Sequence, residues 1–299
     1  MIKKVLLNRN ILLVLAIFIG ILFPRYSQFL KEYIILILGI VMTVSLSAIS
    51  LKALFPLKKV IKPMLVGILL NHIIYGVFII IVAYIYKFNI NLFYGFIVIA
   101  ATPPGVAIIP FTYKLKGNLD YSIFGTFGAF LASIILAPFL IYFFIGSTDV
   151  SPFRIFKTMT LLIIIPLFLS RFLLLKKIKE ITINNRGRLI DIGFALIIYT
   201  SVGLNSEVFY KNYLLLISIF FAFVAIMFGI GKIIGLILQK SNNQEDILSK
   251  KLLFAIKSSG FAVVTSIDTF GVDAAIPATI MSIVVIVYLL ALISFKRIL

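Results

Sequence analysis

The sequence lacks cysteine and tryptophan altogether, and it contains only one histidine and ten acidic residues among its 299. The absence of cysteine excludes disulfide bonds and thiol chemistry. One histidine and few carboxylates also leave little material for a catalytic or metal-binding cluster, because such sites bring several of these side chains together. We therefore expect no enzymatic activity, no cofactor and no metal site.

Apolar residues dominate what is present. They make up 62% of the chain, and the mean hydropathy is +1.20. Repeated apolar runs of membrane-spanning length indicate a multi-pass integral membrane protein that is surrounded by a lipid bilayer. The net charge of +18 would suggest a nucleic-acid partner in a soluble protein, but here the basic residues lie mainly in short connections between apolar runs. We read them as a topology signal and expect no nucleic-acid partner.

Ten spans of about twenty residues account for the apolar runs. Twenty of the 28 lysines and arginines lie in the termini and the even-numbered loops or within five residues of them. By the positive-inside rule, this asymmetry predicts that both termini are cytoplasmic, in a plasma or cytoplasmic membrane. The predicted spans are 10–24, 33–51, 63–86, 92–113, 119–145, 153–175, 187–205, 212–239, 251–268 and 274–295.

Two similar motifs interrupt the fourth and ninth spans. They are Ala101–Ile109 (ATPPGVAII) and Ile256–Val264 (IKSSGFAVV), and their glycines are 155 residues apart. Helix-breaking residues at membrane depth are tolerated where protein or a polar cavity satisfies the backbone. A duplicated unit of five spans would place the second copy in the opposite orientation, as in transporters with inverted repeats. Chance similarity between two interrupted apolar helices is the alternative.

Lys257 is the most informative charged residue, because the apolar run Leu252–Ile256 precedes it without a break. An ionisable side chain within a span is costly and is usually functional or paired. In the alternative, the ninth span begins later and Lys257 reaches the cytoplasmic surface beside Lys250 and Lys251.

Uncharged polar residues also occur within the predicted spans. Asn71 and His72 lie in the middle of the third span, where each needs a partner; a lone histidine there is more often a packing residue than a proton relay. We expect Asp191 at the membrane interface, paired with Arg186 or Arg188. Serine and threonine in spans frequently bond their own helix, so the remaining candidates for a polar cavity are weaker. They are Thr112, Thr126, Thr200, Ser201 and Asn205.

Four segments in order resemble the bile acid:sodium symporter family. Pro104–Asn118 (PGVAIIPFTYKLKGN) is similar to its P-G-G-T-A-S-N-V-M-T-Y-L-A-K-G-N signature if Pro103 takes the place of the signature's proline. Ser258–Ala262 (SSGFA) resembles the family's Q-N-S-G-L-A segment. Leu65–Asn71 is similar to its third span, which ends in glutamine, and Ile40–Leu46 resembles its second span.

This resemblance implies an all-α membrane protein of ten transmembrane helices in two inverted five-helix repeats, residues 1–148 and 149–299. Helices one, two, six and seven would form a panel. Helices three to five and eight to ten would form a core, in which the broken helices four and nine cross. An organic anion would pass between panel and core.

The sequence departs from the family at most positions that the resemblance assigns to sodium. The Ser-Asn pair of span four corresponds to Ile108 and Ile109, and the acidic ligand of span nine corresponds to Leu253. The glutamine of span nine corresponds to Lys257, and only Asn71 retains an amide. Because hydrocarbon side chains do not coordinate a hard cation, we expect transport without the usual sodium coupling. Coupling to residual sodium or to protons stays open.

The sequence therefore predicts a secondary transporter that moves a small organic anion by alternating access. A permease similar to the auxin efflux carriers and a membrane sensor that binds ligand without transport are the alternatives. Homo-oligomer formation is open. The candidate residues for the substrate and the crossover are Pro103, Pro104, Gly105, Lys257, Ser258, Ser259 and Gly260, and those for an ion or a polar cavity are Asn71, His72, Thr112 and Thr126.

Overall fold

Helices account for nearly all of the structure. The computed structural model describes residues 9–48, 57–105, 107–146, 152–239 and 244–294. Parts of the predicted basic loops, and Val106 of the first motif, lie outside these ranges. The described residues form fifteen α-helices joined by short connections. In chain order they are α1 (Arg9–Leu22), α2 (Ser27–Leu46), α3 (Leu57–Ile68), α4 (Tyr75–Ile85), α5 (Ile90–Ala101), α6 (Ile108–Leu115), α7 (Leu119–Ile145), α8 (Pro152–Phe172), α9 (Lys176–Leu204), α10 (Ser206–Lys211), α11 (Tyr213–Val224), α12 (Gly231–Gln239), α13 (Gln244–Ala255), α14 (Ser259–Phe270) and α15 (Ile276–Ser294).

Two kinds of interruption divide the longer helical segments. Leu69–Ile74 is a π-helical segment that joins α3 to α4, and Ala225–Ile230 is another that joins α11 to α12. The helix axis continues through both. By contrast, non-helical backbone separates α5 from α6 and α13 from α14. The predicted spans four and nine are therefore each two short helices with a break between them.

Six helical stretches in the described residues are long and apolar enough to cross a membrane, so the protein is an integral membrane protein built from α-helices. Each half of a broken helix is by itself too short to cross a membrane. The ten-span count and the inverted repeat thus stay predictions. The six stretches are Pro24–Leu46, Lys59–Ile85, Leu119–Ile145, Ile178–Leu204, Tyr213–Leu238 and Asp273–Leu292, and the shorter apolar helices are Ile11–Leu22, Ile90–Ala101 and Thr160–Phe172.

The helices pack in two groups. In the first group, the long helix α9 lies along α1 and α2, and α2 also packs against α8. In the second, α3 packs against α7, and α5 contacts α4, α7, α14 and α15. The α3–α7 contact is a close backbone approach, since a Cβ atom added to Gly67 would lie 2.2 Å from the carbonyl oxygen of Gly125. Small residues permit such contacts between membrane helices.

Asparagine N-caps fix the starts of α5 and α7. The Asn89 side chain accepts hydrogen bonds from two backbone N–H groups in the first turn of α5. Asn118 Oδ1 accepts from the backbone N–H of Tyr121 at 3.0 Å, and its Nδ2 donates to Asp246 Oδ1 at 2.7 Å. A cap replaces hydrogen bonds that the first turn of a helix lacks. Asn118 therefore both starts α7 and ties it to α13.

Candidate functional site

The two broken helices cross at their breaks. Pro104 and Lys257 form an antiparallel bridge in which the backbone N–H of Gly105 donates to the carbonyl of Ile256 at 3.0 Å. The N–H of Ser258 donates to the carbonyl of Pro103, also at 3.0 Å. Proline has no backbone N–H and does not continue a helix, so consecutive prolines account for the end of α5. Each break thus supplies hydrogen bonds that the other lacks.

Gly105 is required by the closeness of this crossing. A Cβ atom at this position would lie 2.9 Å from Ile256 Cγ2 and 3.0 Å from the carbonyl oxygen of Lys257. Real Cβ atoms essentially never approach another heavy atom closer than 3.0 Å. A larger residue would therefore require the Ile256 side chain or the backbone of the second break to shift.

The ammonium group of Lys257 lies at the end of α5. Its Nζ donates to the carbonyl oxygens of Ala100 at 2.8 Å and Thr102 at 2.6 Å, and the residue is only 1% exposed. The carbonyl groups at the C-terminus of a helix carry partial negative charge and lack partners within the helix. Lys257 therefore supplies hydrogen bonds to two carbonyl groups at this helix end.

Asn71 and His72 lie on the π-helical segment beside the crossover, and both are buried. Asn71 Nδ2 donates to the carbonyl of Leu253 at 2.8 Å and lies 3.4 Å from that of Ile256, at the end of α13. His72 Nε2 is 2.9 Å from the carbonyl oxygen of Ala129 and must be the donor, since a carbonyl only accepts. The two side chains thus join the third segment to α13 and α7.

The N-terminus of α14 presents a polar surface at the crossover. Ser258 is the N-cap residue and is 3% exposed, but its Oγ has no hydrogen-bond partner among the described residues. Ser259 begins the helix, and a Cβ atom on the next residue, Gly260, would lie 2.6 Å from Phe194 of α9. The first turn of a helix offers free N–H groups and partial positive charge, which suit an anion.

Two cavities lie near this crossover, and Ala107 lines both. The smaller, about 40 Å³, lies against the crossover and is lined by Gly105, Lys257, Ser258 and Ser259, with helices α1, α9 and α15 around it. The larger, about 490 Å³, lies between α2, α6 and α9. A ligand-sized space between the first helix group and the second therefore reaches the broken helices.

Thr112 and Thr126 lie in different environments. Thr112 Oγ1 donates to the carbonyl of Ile108 at 2.8 Å and lies 2.7 Å from Ser122 Oγ, so it joins α6 to α7. Thr126 Oγ1 is buried and has no partner among the described residues. Neither threonine lines the cavities at the crossover.

The polar residues of α9 serve mainly to pack helices. Thr200 Oγ1 donates to the carbonyl of Leu196 in its own helix. Ser201 Oγ contacts Thr279 Oγ1 of α15. Asn205 Nδ2 donates to the carbonyl of Ser201 at 2.9 Å. These contacts bond α9 to itself or pack it against α15.

The residues that line the cavities include several that were not among the sequence candidates, such as Phe194, Ser282 and Arg186. Phe194 and Ser282 come from helices that do not carry either motif, and no sequence pattern marks them. Arg186 did carry a signal as a charge next to a predicted span, but it was considered only as a partner for Asp191. Arg186 and Asp191 both line the larger cavity.

A search of curated proteins gives no significant match to this chain. A family model does match. The Sodium Bile acid symporter family model covers residues 35–212, which is more than half of the chain and includes the first broken helix and most of the larger cavity. The paired breaks and the all-helical membrane fold agree with this match, and the protein belongs to the Sodium Bile acid symporter family, whose members are membrane transporters.

Proposed function

We propose that the chain forms ten spans in two inverted repeats. The two breaks support the repeat because their glycines, Gly105 and Gly260, are 155 residues apart. The π-helical segments support it independently, since they begin at Leu69 and Ala225, 156 residues apart. The first helix group, α1, α2, α8 and α9, would be the panel, and the other helices would form the core. The basic loops favour cytoplasmic termini.

Within this architecture, the protein would be a secondary transporter that moves a small organic anion by alternating access. The observation that carries the proposal is the crossing of two broken helices next to two cavities between the helix groups, with Ala107 in the lining of both cavities. Movement of the core against the panel would expose the crossover to either side of the membrane. The Ser258 hydroxyl, which has no partner among the described residues, and the N-terminus of α14 would receive the anionic group there.

Transport would not need sodium, because Lys257 supplies the positive charge at the crossover. Its ammonium already binds two backbone carbonyls that would otherwise attract a cation. Ile108 and Leu253 are fully buried hydrocarbon side chains at positions where the family resemblance places oxygen ligands. A sodium ion would thus find few ligands and a competing charge.

The proposal is tested by exchange across proteoliposomes. Naphthalene-2-sulfonate, naphthalene-2-carboxylate and 2-naphthylmethylammonium share one apolar body and differ in charge, and a chain without tryptophan adds little to their fluorescence. We expect exchange of the anions but not of the cation. Lys257→Ala should abolish it without unfolding the protein, whereas Lys232→Ala, at an exposed lysine of α12, should not. Anion exchange no faster than in empty liposomes, or unimpaired exchange by Lys257→Ala, would contradict the proposal.

A further inference from the structure

A third cavity, of about 210 Å³, lies where three helices of the second group come together. Its lining comes from the C-terminal end of α6, the first turns of α13 and the last turns of α15. Leu292, one of the lining residues, is also the last residue of the apolar stretch Asp273–Leu292. The cavity therefore lies where a spanning helix leaves the hydrocarbon region, which is the depth of the lipid headgroups.

The charged residues of this cavity suit a ligand with one negative charge. Lys116, Lys251 and Glu245 line it, which leaves one net positive charge. Lys116 is exposed and Lys251 is partly exposed, so both are accessible to a ligand. Lys250, by contrast, is 5% exposed, and its Nζ lies 5.2 Å from the centre of the Tyr121 ring, so it belongs to the packing between α13 and α7. Ammonium groups bind phosphate oxygens through charge-assisted hydrogen bonds.

Lys116 has an unusual backbone conformation for a lysine. It is the C-cap of α6, with φ of 61° and ψ of 42°, and it is the only residue other than glycine with positive φ in the described part of the chain. Helices that end in the left-handed conformation usually carry glycine or asparagine there, because a Cβ atom is unfavourable. A lysine at such a position indicates a use for its side chain, and the residue lines the cavity.

Lys251 connects this cavity to the surface that faces the lipid. Together with Leu292 it also lines a narrow gap between α12 and α15, whose other walls include Phe228 and Tyr288. A Cβ atom on Gly235 would overlap Lys251 Cε, so the stem of the lysine packs closely on α12. Lysine stems lie along apolar surfaces in this way while the ammonium group reaches the headgroup region. The large apolar residues of α12 beside this gap are exposed, and they are Ile233, Leu236 and Ile237.

We propose that this cavity binds the phosphodiester group of an anionic phospholipid, with Lys116 and Lys251 at the phosphate and the acyl chains along α12 and α15. Basic pockets between membrane helices bind such headgroups. A free phosphate would satisfy the lysines but would leave the adjoining apolar surface unused. The proposed topology places this end of the helices at the cytoplasmic leaflet. A bound lipid would join the ends of α6, α13 and α15, which is a role separate from transport.

Native mass spectrometry of the full chain, released from detergent micelles, tests this site. The probes are dioleoylphosphatidylglycerol and dioleoylphosphatidylcholine, which share their acyl chains and differ in net charge, and free glycerol 3-phosphate. The variants are Lys116→Asn, which tolerates the left-handed conformation, and Lys251→Met, which keeps an apolar stem over Gly235. The control is Lys179→Gln, at an exposed lysine of α9.

The wild type should bind phosphatidylglycerol more tightly than phosphatidylcholine. Lys116→Asn and Lys251→Met should each weaken phosphatidylglycerol binding about fivefold, which corresponds to about 1 kcal/mol for one lysine at an anionic lipid surface, and leave phosphatidylcholine binding unchanged. Lys179→Gln should change neither affinity.

The proposal fails if the wild type binds the two lipids equally, or if both variants, folded by their unfolding temperatures, bind phosphatidylglycerol as the wild type does. It also fails if Lys179→Gln loses as much affinity as they do, since that would indicate attraction by the overall charge. Equal affinity for glycerol 3-phosphate would indicate a site for a soluble anion instead of a lipid. These measurements need no transport, so their outcome is independent of the proposed function.

Discussion

Replacing Lys257 by glutamine should make the thermal stability of this protein depend on sodium. The substitution removes the ammonium group from the carbonyls of Ala100 and Thr102 and introduces an amide oxygen beside them. Asn71 Oδ1, which is buried and has no partner among the described residues, lies on the neighbouring π-helical segment. Carbonyl and amide oxygens are suitable ligands for a hard cation, so the variant should bind sodium where the wild type has its own charge.

The size of the effect follows from mass action. Sodium at ten times its dissociation constant stabilises the folded protein by about 1.4 kcal/mol. For a chain of 299 residues with an unfolding entropy of about 2.1 cal/mol/K per residue, that corresponds to a rise of about 2 °C in unfolding temperature. The assay compares purified protein in NaCl and in KCl at equal ionic strength, for the wild type, Lys257→Gln and the exposed control Lys232→Gln.

We expect a sodium-specific rise in Lys257→Gln alone. A folded Lys257→Gln protein that responds equally to the two salts would refute the idea that the ammonium occupies a cation site. A sodium-specific rise in the unfolding temperature of the wild type would also refute this idea, because it would mean that a sodium site survives beside Lys257.

Two further substitutions separate the crossover from the rest of the fold. Gly105→Ala should lower anion exchange, and it should lower the free energy of unfolding by about 1–3 kcal/mol, because the new Cβ meets Ile256. The control is Gly39→Ala, which should lower neither quantity, because nothing lies within 4 Å of a Cβ atom at that position. Normal exchange by Gly105→Ala would show that the close crossing is not needed. Asn118→Ala should cost about 1–2 kcal/mol of stability through the lost helix cap and the lost bond to Asp246, and exchange measured below the unfolding temperature should persist. An unchanged unfolding temperature would contradict this assignment.

The breaks in the fourth and ninth segments were predictable from local chemistry. Consecutive prolines lack N–H donors, and two similar motifs far apart suggested that their breaks face each other. The structure brings Pro104 and Lys257 together as backbone partners. The partners of Lys257 were not predictable, since Ala100 and Thr102 contribute only carbonyl groups, which every residue has. A side chain that binds backbone leaves no signal in the sequence of its partner.

The larger cavity and the π-helical segments could not be predicted from the sequence either. The residues of Leu69–Ile74 and Ala225–Ile230 have ordinary helical composition, so nothing local distinguishes an i→i+5 turn from an α-helical one. The cavity depends on how α9 packs against α2 and α6, which is a tertiary property. From the sequence alone, Arg186 is a charged residue next to a predicted span, and its position in the cavity wall follows only from the packing of the helices.

The most direct test of sodium-independent anion transport is the initial rate of naphthalene-2-sulfonate exchange in proteoliposomes, with NaCl on both sides and then with KCl at equal ionic strength. Exchange needs no driving gradient, so the comparison isolates the requirement for the ion itself. We expect equal rates in the two salts, together with loss of exchange in Lys257→Ala. Exchange that occurs in NaCl and stops in KCl would contradict it, because the fixed charge of Lys257 would then not replace the coupling ion.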